Sequence, residues 1–232
     1  MTNAPALVLE HEADTPAALL AEWASDRGLA LEIVRAGQPI PDPAGRPFVV
    51  TLGSVDSAYD ERVVWLAAER AVLDRAVELD VPVLGICFGA QHLALALGGS
   101  VGPAPRPEIG WLDIETFAPG LVPPGPWLQW HQDAFTVPPR AELLARSPAG
   151  PQAYRRGAHL GVQFHPEVDA AIVADWVAQD ADAVRAAGGT PEGVLDGSRR
   201  HAAGARRRAR SLFDAFLASA RAARRLSPDA VG

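Results

Sequence analysis

Short apolar runs alternate with stretches of helical spacing, and this alternation limits the fold more than any other feature of the chain. Residues 6–11, "ALVLEH", read as a buried strand. "TPAALLAEWASDRG" follows as a helix, with Thr15 as N-cap, Pro16 in the first turn and Gly28 as the stop. Residues 29–34 form a second strand, 36–47 a proline-rich loop and 48–53 a third strand. A long amphipathic helix spans 60–80, a fourth strand 81–86, and another helix 89–97. Strands separated by helices predict a mainly parallel central sheet with helices on both faces.

Beyond residue 101 the texture changes. Pieces such as "WLDIET" (111–116) stand between proline clusters, which suggests antiparallel strands or a subsidiary sheet up to residue 151. Residues 159–168, "HLGVQFHPEV", return to a buried strand, and 169–179 to a helix. The tail is different again. From Arg199 onward nine arginines face two acids, in a chain whose net charge is −7. Leu212, Phe213, Phe216, Leu217 and Ala220 recur at helical spacing there. The simplest expectation is a final helix docked by that stripe with its arginines solvated; a contact with a partner or an anionic ligand is the alternative. We expect one unit over 1–182 and a helical, arginine-rich extension over 183–232.

Composition narrows the chemistry. With 232 residues the chain can bury a substantial core. It has no apolar run of the ~18 residues that span a bilayer and no secretory leader pattern. One cysteine allows no internal disulfide, which fits a reducing, cytoplasmic setting. Net acidity argues against general nucleic-acid binding, and nothing points to a membrane partner. There is no lysine, since all 21 basic residues are arginine. Neither a phosphate-binding loop lysine nor a lysine Schiff base is therefore available. No cofactor or metal is expected.

The single thiol lies at the fourth strand–helix junction, in "LGICFGAQ". Gly85 and Gly89 flank Cys87 two positions either side. A sharp strand-to-helix turn needs small flanking residues because the two backbones crowd. Such a turn holds a nucleophile in a strained conformation with its tip exposed. The start of a helix favours thiolate, and the Phe88 N–H can bind a developing oxyanion. The plain alternative is an inert buried cysteine packed as a small hydrophobe.

A cysteine nucleophile wants a histidine, and the histidine an orienting carboxylate. Of six histidines, His165 in "VQFHPEV" ends an apolar strand, and Pro166 keeps it extended. Residues i and i+2 then project to one side, so His165 and Glu167 can converge. Cys87 and His165 end two different strands, whose carboxyl ends share one edge in a parallel sheet. His131, in "WHQDAF", is the competing base and is read first as pocket wall.

Together "PVLGICFGAQHLALALGG", "WHQDAF" and "GVQFHPEV" resemble the class I (triad) glutamine amidotransferases, most of all free-standing members related to the glutaminase part of GMP synthetase. Weaker agreement runs through "VVTLGSVDSAYD" and "EIGW", so the likeness covers roughly residues 5–180. The resemblance implies a flavodoxin-like α/β fold and a Cys-His-Glu triad: Cys87 as nucleophile, His165 as base then acid, Glu167 as orienter. It implies that Gln91 helps bind glutamine, with backbone groups around Gln132 and Asp133 holding the substrate's amino-acid end and His131 in the pocket wall. The loop after the third strand would lend the second oxyanion N–H, beside that of Phe88. Relatives usually carry Gly-Gly-Pro there, whereas this chain has Gly53-Ser54-Val55. Ser54 keeps an N–H but tolerates positive φ poorly, so a weaker or rearranging oxyanion hole is expected.

The function implied is a glutaminase releasing ammonia from glutamine for a separate acceptor or synthetase subunit. A stand-alone hydrolase or peptidase of γ-glutamyl compounds is the alternative, and a regulatory or binding module with little catalysis a third reading.

Overall fold

A computed structural model of the chain describes residues 4–226. Its main sheet has eight strands. Five of them run parallel: β1 (Ala6–Glu10), β2 (Leu31–Arg35), β3 (Val49–Thr51), β4 (Val83–Ile86) and β10 (His159–Val162), in the order β2-β1-β3-β4-β10. Three antiparallel strands extend the β10 edge: β9 (Gly150–Arg156), β8 (Glu142–Ser147) and β6 (Glu115–Thr116). A separate ribbon pairs β5 (Val101–Leu112) with β7 (Trp127–Phe135). The subsidiary antiparallel sheet is thus only part of the 102–151 region. Strands β6, β8 and β9 instead widen the main sheet.

Side chains alternate across the strands and build two cores. From β1, Ala6 and Val8 enter one core, while Leu7 and Leu9 enter the other. The first core receives Leu20 and Trp23 of α1 (Ala18–Asp26), and Leu212, Phe213 and Phe216 of α6 (Pro191–Leu226). The second receives Leu73 and Ala76 of α2 (Leu66–Glu78), and Leu93 and Ala94 of α3 (Phe88–Ala96). A third, smaller cluster joins Ile109 and Leu128 of the ribbon to α4 (Ala170–Gln179), with Val184 of α5 (Ala181–Ala186).

Several boundaries differ from the sequence expectation for local reasons. Thr15 does not cap α1, because its hydroxyl turns back to Glu12. The Ala17 N–H goes to the Glu10 carboxylate (2.9 Å) and the Leu19 N–H to the Glu167 carbonyl (2.8 Å). Helix α2 starts at Leu66 rather than 60. The Asp60 carboxylate takes the Arg62 N–H (3.1 Å) and guanidinium, a local turn that competes with helix. Strand β10 stops at Val162, so His165 lies in the bend beyond it rather than at the strand's end.

The tail docks by the expected stripe, but its arginines are not simply solvated. Arg210 pairs with Asp26 (2.6 Å), Arg206 pairs with Glu22, and Arg208 lies over the Trp127 ring. Asp214 accepts from Trp23 Nε1 (3.0 Å) and pairs with Arg27. Both basic and acidic groups of α6 therefore grip α1. No helix among the described residues is long and apolar enough to cross a membrane.

Candidate active site

Cys87 occupies the junction between β4 and α3 with φ 53° and ψ −111°. That is a left-handed backbone at a residue with a Cβ, which costs on the order of 1–3 kcal/mol and persists only where surroundings impose it. The surroundings here are backbone. A Cβ on Gly85 would come within 2.5 Å of the Gly89 carbonyl oxygen, and one on Gly89 would overlap the Thr51 carbonyl. The two glycines are therefore required by close approach. The Cys87 N–H donates to Val162 (2.8 Å), tying the turn to the end of β10.

Because β4 and β10 are parallel neighbours, with Ile86 opposite Val162, the residues after each strand emerge side by side. His165 is thereby brought beside Cys87. Gly53, just beyond β3, lies against both: a Cβ built on it would lie 3.0 Å from His165 Cε1 and 3.8 Å from Cys87 Cβ. His165 Nδ1 donates to Glu167 Oε1 at 2.7 Å, the i, i+2 convergence expected around Pro166. Both side chains are buried. Burial disfavours a charged ring, but the Glu167 carboxylate and the Cys87 sulfur outweigh it and hold the His165 pKa well above its ordinary value. His165 Nε2 has no hydrogen-bond partner among the described residues.

Two clefts meet at the thiol. The first is lined by Gly53, Ser54, His165, Asp14, Trp130 and Trp176. The second, larger one is lined by Ser54, Phe88, Gln91, His131, Gln132 and Asp133, so the expected substrate-binding residues share a wall. Their detailed roles differ. Gln91 Nε2 donates to the Asp133 carbonyl (3.2 Å) and to Gln163 Oε1 (3.3 Å), so its amide hydrogens hold the pocket together. The Asp133 carboxylate is taken by Ser57 (2.8 Å) and Tyr59 (3.2 Å). His131 Nδ1 donates to the Asp133 carbonyl (3.0 Å), and its Nε2 faces Glu108 (3.3 Å). Its ring is thus engaged in the wall. The β5–β7 pairing jumps from Pro103–Asp133 to Glu108–His131, leaving Gln132, which lines the cleft, without a register partner.

Among the described residues neither the Ser54 nor the Phe88 N–H has an acceptor. Ser54 keeps φ outside the left-handed region, so it carries no strain there.

Sequence reasoning missed some neighbours. Gln163 Nε2 points at the Cys87 sulfur (3.7 Å), and the buried set His11, Glu69 and His92 packs behind Phe88. A polar residue inside the apolar run "GVQF" was the one available signal for Gln163. No group of three or more metal-ligating side chains is gathered among the described residues.

Residues 19–172 match the family described as "Glutamine amidotransferase class-I". The chain belongs to the class-I glutamine amidotransferase family. Among relatives of this amidotransferase, the glutamine-hydrolyzing GMP synthase of Aeropyrum pernix is 37% identical over 165 residues, 65% of this chain and 30% of that protein. A glutamine-hydrolyzing GMP synthase subunit of Ignicoccus hospitalis is 42% identical over 96 residues, 38% of this chain and 51% of that protein. The match thus spans between about a third and a half of those relatives. A crystal structure of a glutamine amidotransferase from Methylobacillus flagellatus superposes with TM-score 0.84 at 25% identity, over 93% of this chain and 94% of that one. The fold is accordingly the flavodoxin-like amidotransferase architecture.

Proposed function

We propose that the protein hydrolyses the side-chain amide of glutamine through a thioester on Cys87. The observation that carries this is the strained Cys87 at a glycine-flanked elbow beside a His165 already bonded to Glu167. The Cys87 thiolate attacks the amide carbon, and the Phe88 and Ser54 N–H groups receive the oxyanion. His165, as imidazolium, protonates the leaving nitrogen, and the C–N bond breaks with release of ammonia. The neutral imidazole then takes a proton from water, whose oxygen attacks the thioester. The C–S bond breaks and glutamate leaves. Glu167 holds the ring so that Nε2 faces the reaction. The larger cleft, with Gln91, His131, Gln132 and Asp133, takes the amino-acid end of the substrate.

The relative in Ignicoccus hospitalis is named as one subunit of its enzyme. We extend that to this chain: its ammonia is destined for a separate acceptor subunit. Residues 183–232 then form an extension of an amidotransferase unit over 1–182.

The first cleft supports a second reading. His165 lines it and Gln91 does not, so it lies on the leaving-group side. Trp130, Trp176 and Gln179 leave room there for a group larger than ammonia, as a γ-glutamyl peptide would need. Ammonia release from glutamine, compared with amine release from γ-glutamyl dipeptides, separates the two. Faster turnover of the dipeptides favours a hydrolase of γ-glutamyl compounds, and turnover of glutamine alone favours the amidotransferase. Turnover of neither overturns the thiol mechanism.

A further inference from the structure

His11 follows β1 and has no part in the chemistry above, yet its side chain is fully buried beside the site. Both ring nitrogens face acceptors. Nδ1 lies 2.9 Å from the Gly53 carbonyl oxygen and Nε2 lies 2.8 Å from Glu69 Oε2. A carbonyl only accepts, so Nδ1 carries a proton. Glu69 also takes the Thr51 hydroxyl (2.7 Å) and faces His92 Nδ1 (3.4 Å). Burial opposes its charge, but His11 and His92 together hold its pKa below the ordinary carboxylate range. An ionised carboxylate also only accepts, so an imidazolium at His11 would find an acceptor for each ring N–H; the ring is stacked on Trp65 and edge-on to Phe88.

We propose that His11, clamped by Glu69, is the positioning residue of the oxyanion hole: it orients the Gly53–Ser54 peptide so that the Ser54 N–H faces the Cys87 cleft. This rests on the amide-hydrolysis reading. The peptide is trans and planar, so its C=O and N–H point opposite ways. His11 holds the C=O on the buried side, and the N–H is turned toward the cleft that Gly53, Ser54 and Cys87 line. A doubly protonated ring on the carbonyl would also polarise the peptide and strengthen its N–H as a donor.

A second clamp acts one residue further on. Glu12 Oε1 accepts from Ser54 Oγ (2.8 Å) and from the Val55 N–H (3.2 Å). The groups facing His11 are thus Glu69 of α2, Glu12 of its own loop and, through Glu69, His92 of α3. Burial lowers the His11 pKa, and these two carboxylates with the Gly53 carbonyl raise it above its ordinary value. The arrangement explains how Ser54, a residue with a Cβ, serves at this turn. The peptide is set by side chains that grip it from outside, and no left-handed backbone is needed at Ser54.

The test compares wild type with His11→Gln, Glu69→Gln and the double variant, which removes both charges while keeping shape. A lost oxyanion donor costs about 10²–10³ in rate, so kcat for glutamine should fall by about 10² with KM unchanged. Alkylation of Cys87 by iodoacetamide, which develops no oxyanion, should keep its wild-type rate. Wild-type kcat in His11→Gln, or an equal loss of alkylation and turnover, overturns the proposal. A ¹⁵N NMR measurement on wild type at pH 7 requires no folded variant and no turnover. Both His11 ring nitrogens should be protonated, and one unprotonated nitrogen overturns the proposal. Absence of any turnover in the wild type instead overturns the amide-hydrolysis reading beneath it.

Discussion

At the scale of single residues, Cys87 separates stability from function. Its φ of 53° is one that glycine adopts freely and that a Cβ resists. Cys87→Ala keeps the strain and Cys87→Gly relieves it. Calorimetry should find Cys87→Gly the more stable of the two by about 1 kcal/mol, the reverse of the usual order for these residues. Both should release no ammonia. A Cys87→Ala variant that melts above Cys87→Gly would show that the turn is not strained. Glu167 offers a second check. Its carboxylate is what holds the His165 tautomer, so Glu167→Gln should lower kcat by about 10²–10⁴. The thermal midpoint should move little by comparison. A variant with near-normal kcat would remove Glu167 from the mechanism.

At the scale of elements, strand β10 carries a pH-dependent stability in His159. This buried histidine has its pKa lowered to about 4, first by burial and then by Arg156, with Asp80 partly opposing. In the unfolded chain the ordinary value of 6.5 applies. Between pH 6.5 and 4 the unfolded state binds the proton and the folded state does not, so stability falls as pH falls through that window. The shift amounts to about 3 kcal/mol. Urea titrations of wild type and His159→Leu at pH 7 and pH 4.5 should show wild type losing stability relative to the variant at low pH. Parallel pH slopes would refute the assignment. The same strand shows what the sequence made legible. The ends of β4 and β10 could be placed at one edge because parallel order follows from strand–helix alternation, and Cys87, His165 and Glu167 came with them. Gln163, His11 and Glu69 could not be read that way. Their partners lie 76, 42 and 58 residues away, and only the packed fold brings them together. Element starts depart from the sequence pattern where a side chain intervenes, as Asp60 does before α2 and Glu10 before α1.

At the scale of the whole molecule, α6 is part of the core. Leu212, Phe213 and Phe216 pack with Trp23 and Phe48, and Arg206 and Arg210 bind the acids of α1. Phe216→Ala should cost about 3–5 kcal/mol, and deletion of 199–232 should abolish cooperative unfolding. A truncated chain that melts like the full one would mean the helix only rests on the surface. Through α1 the same helix braces the site, since the Leu19 N–H bonds the Glu167 carbonyl. The proposed chemistry rests on a covalent step at one sulfur. Mass spectrometry of wild-type protein quenched in acid during turnover of glutamine should find one γ-glutamyl group on the peptide containing Cys87, and none in Cys87→Ala. Steady ammonia release with Cys87 unmodified, or release that persists in Cys87→Ala, would contradict it.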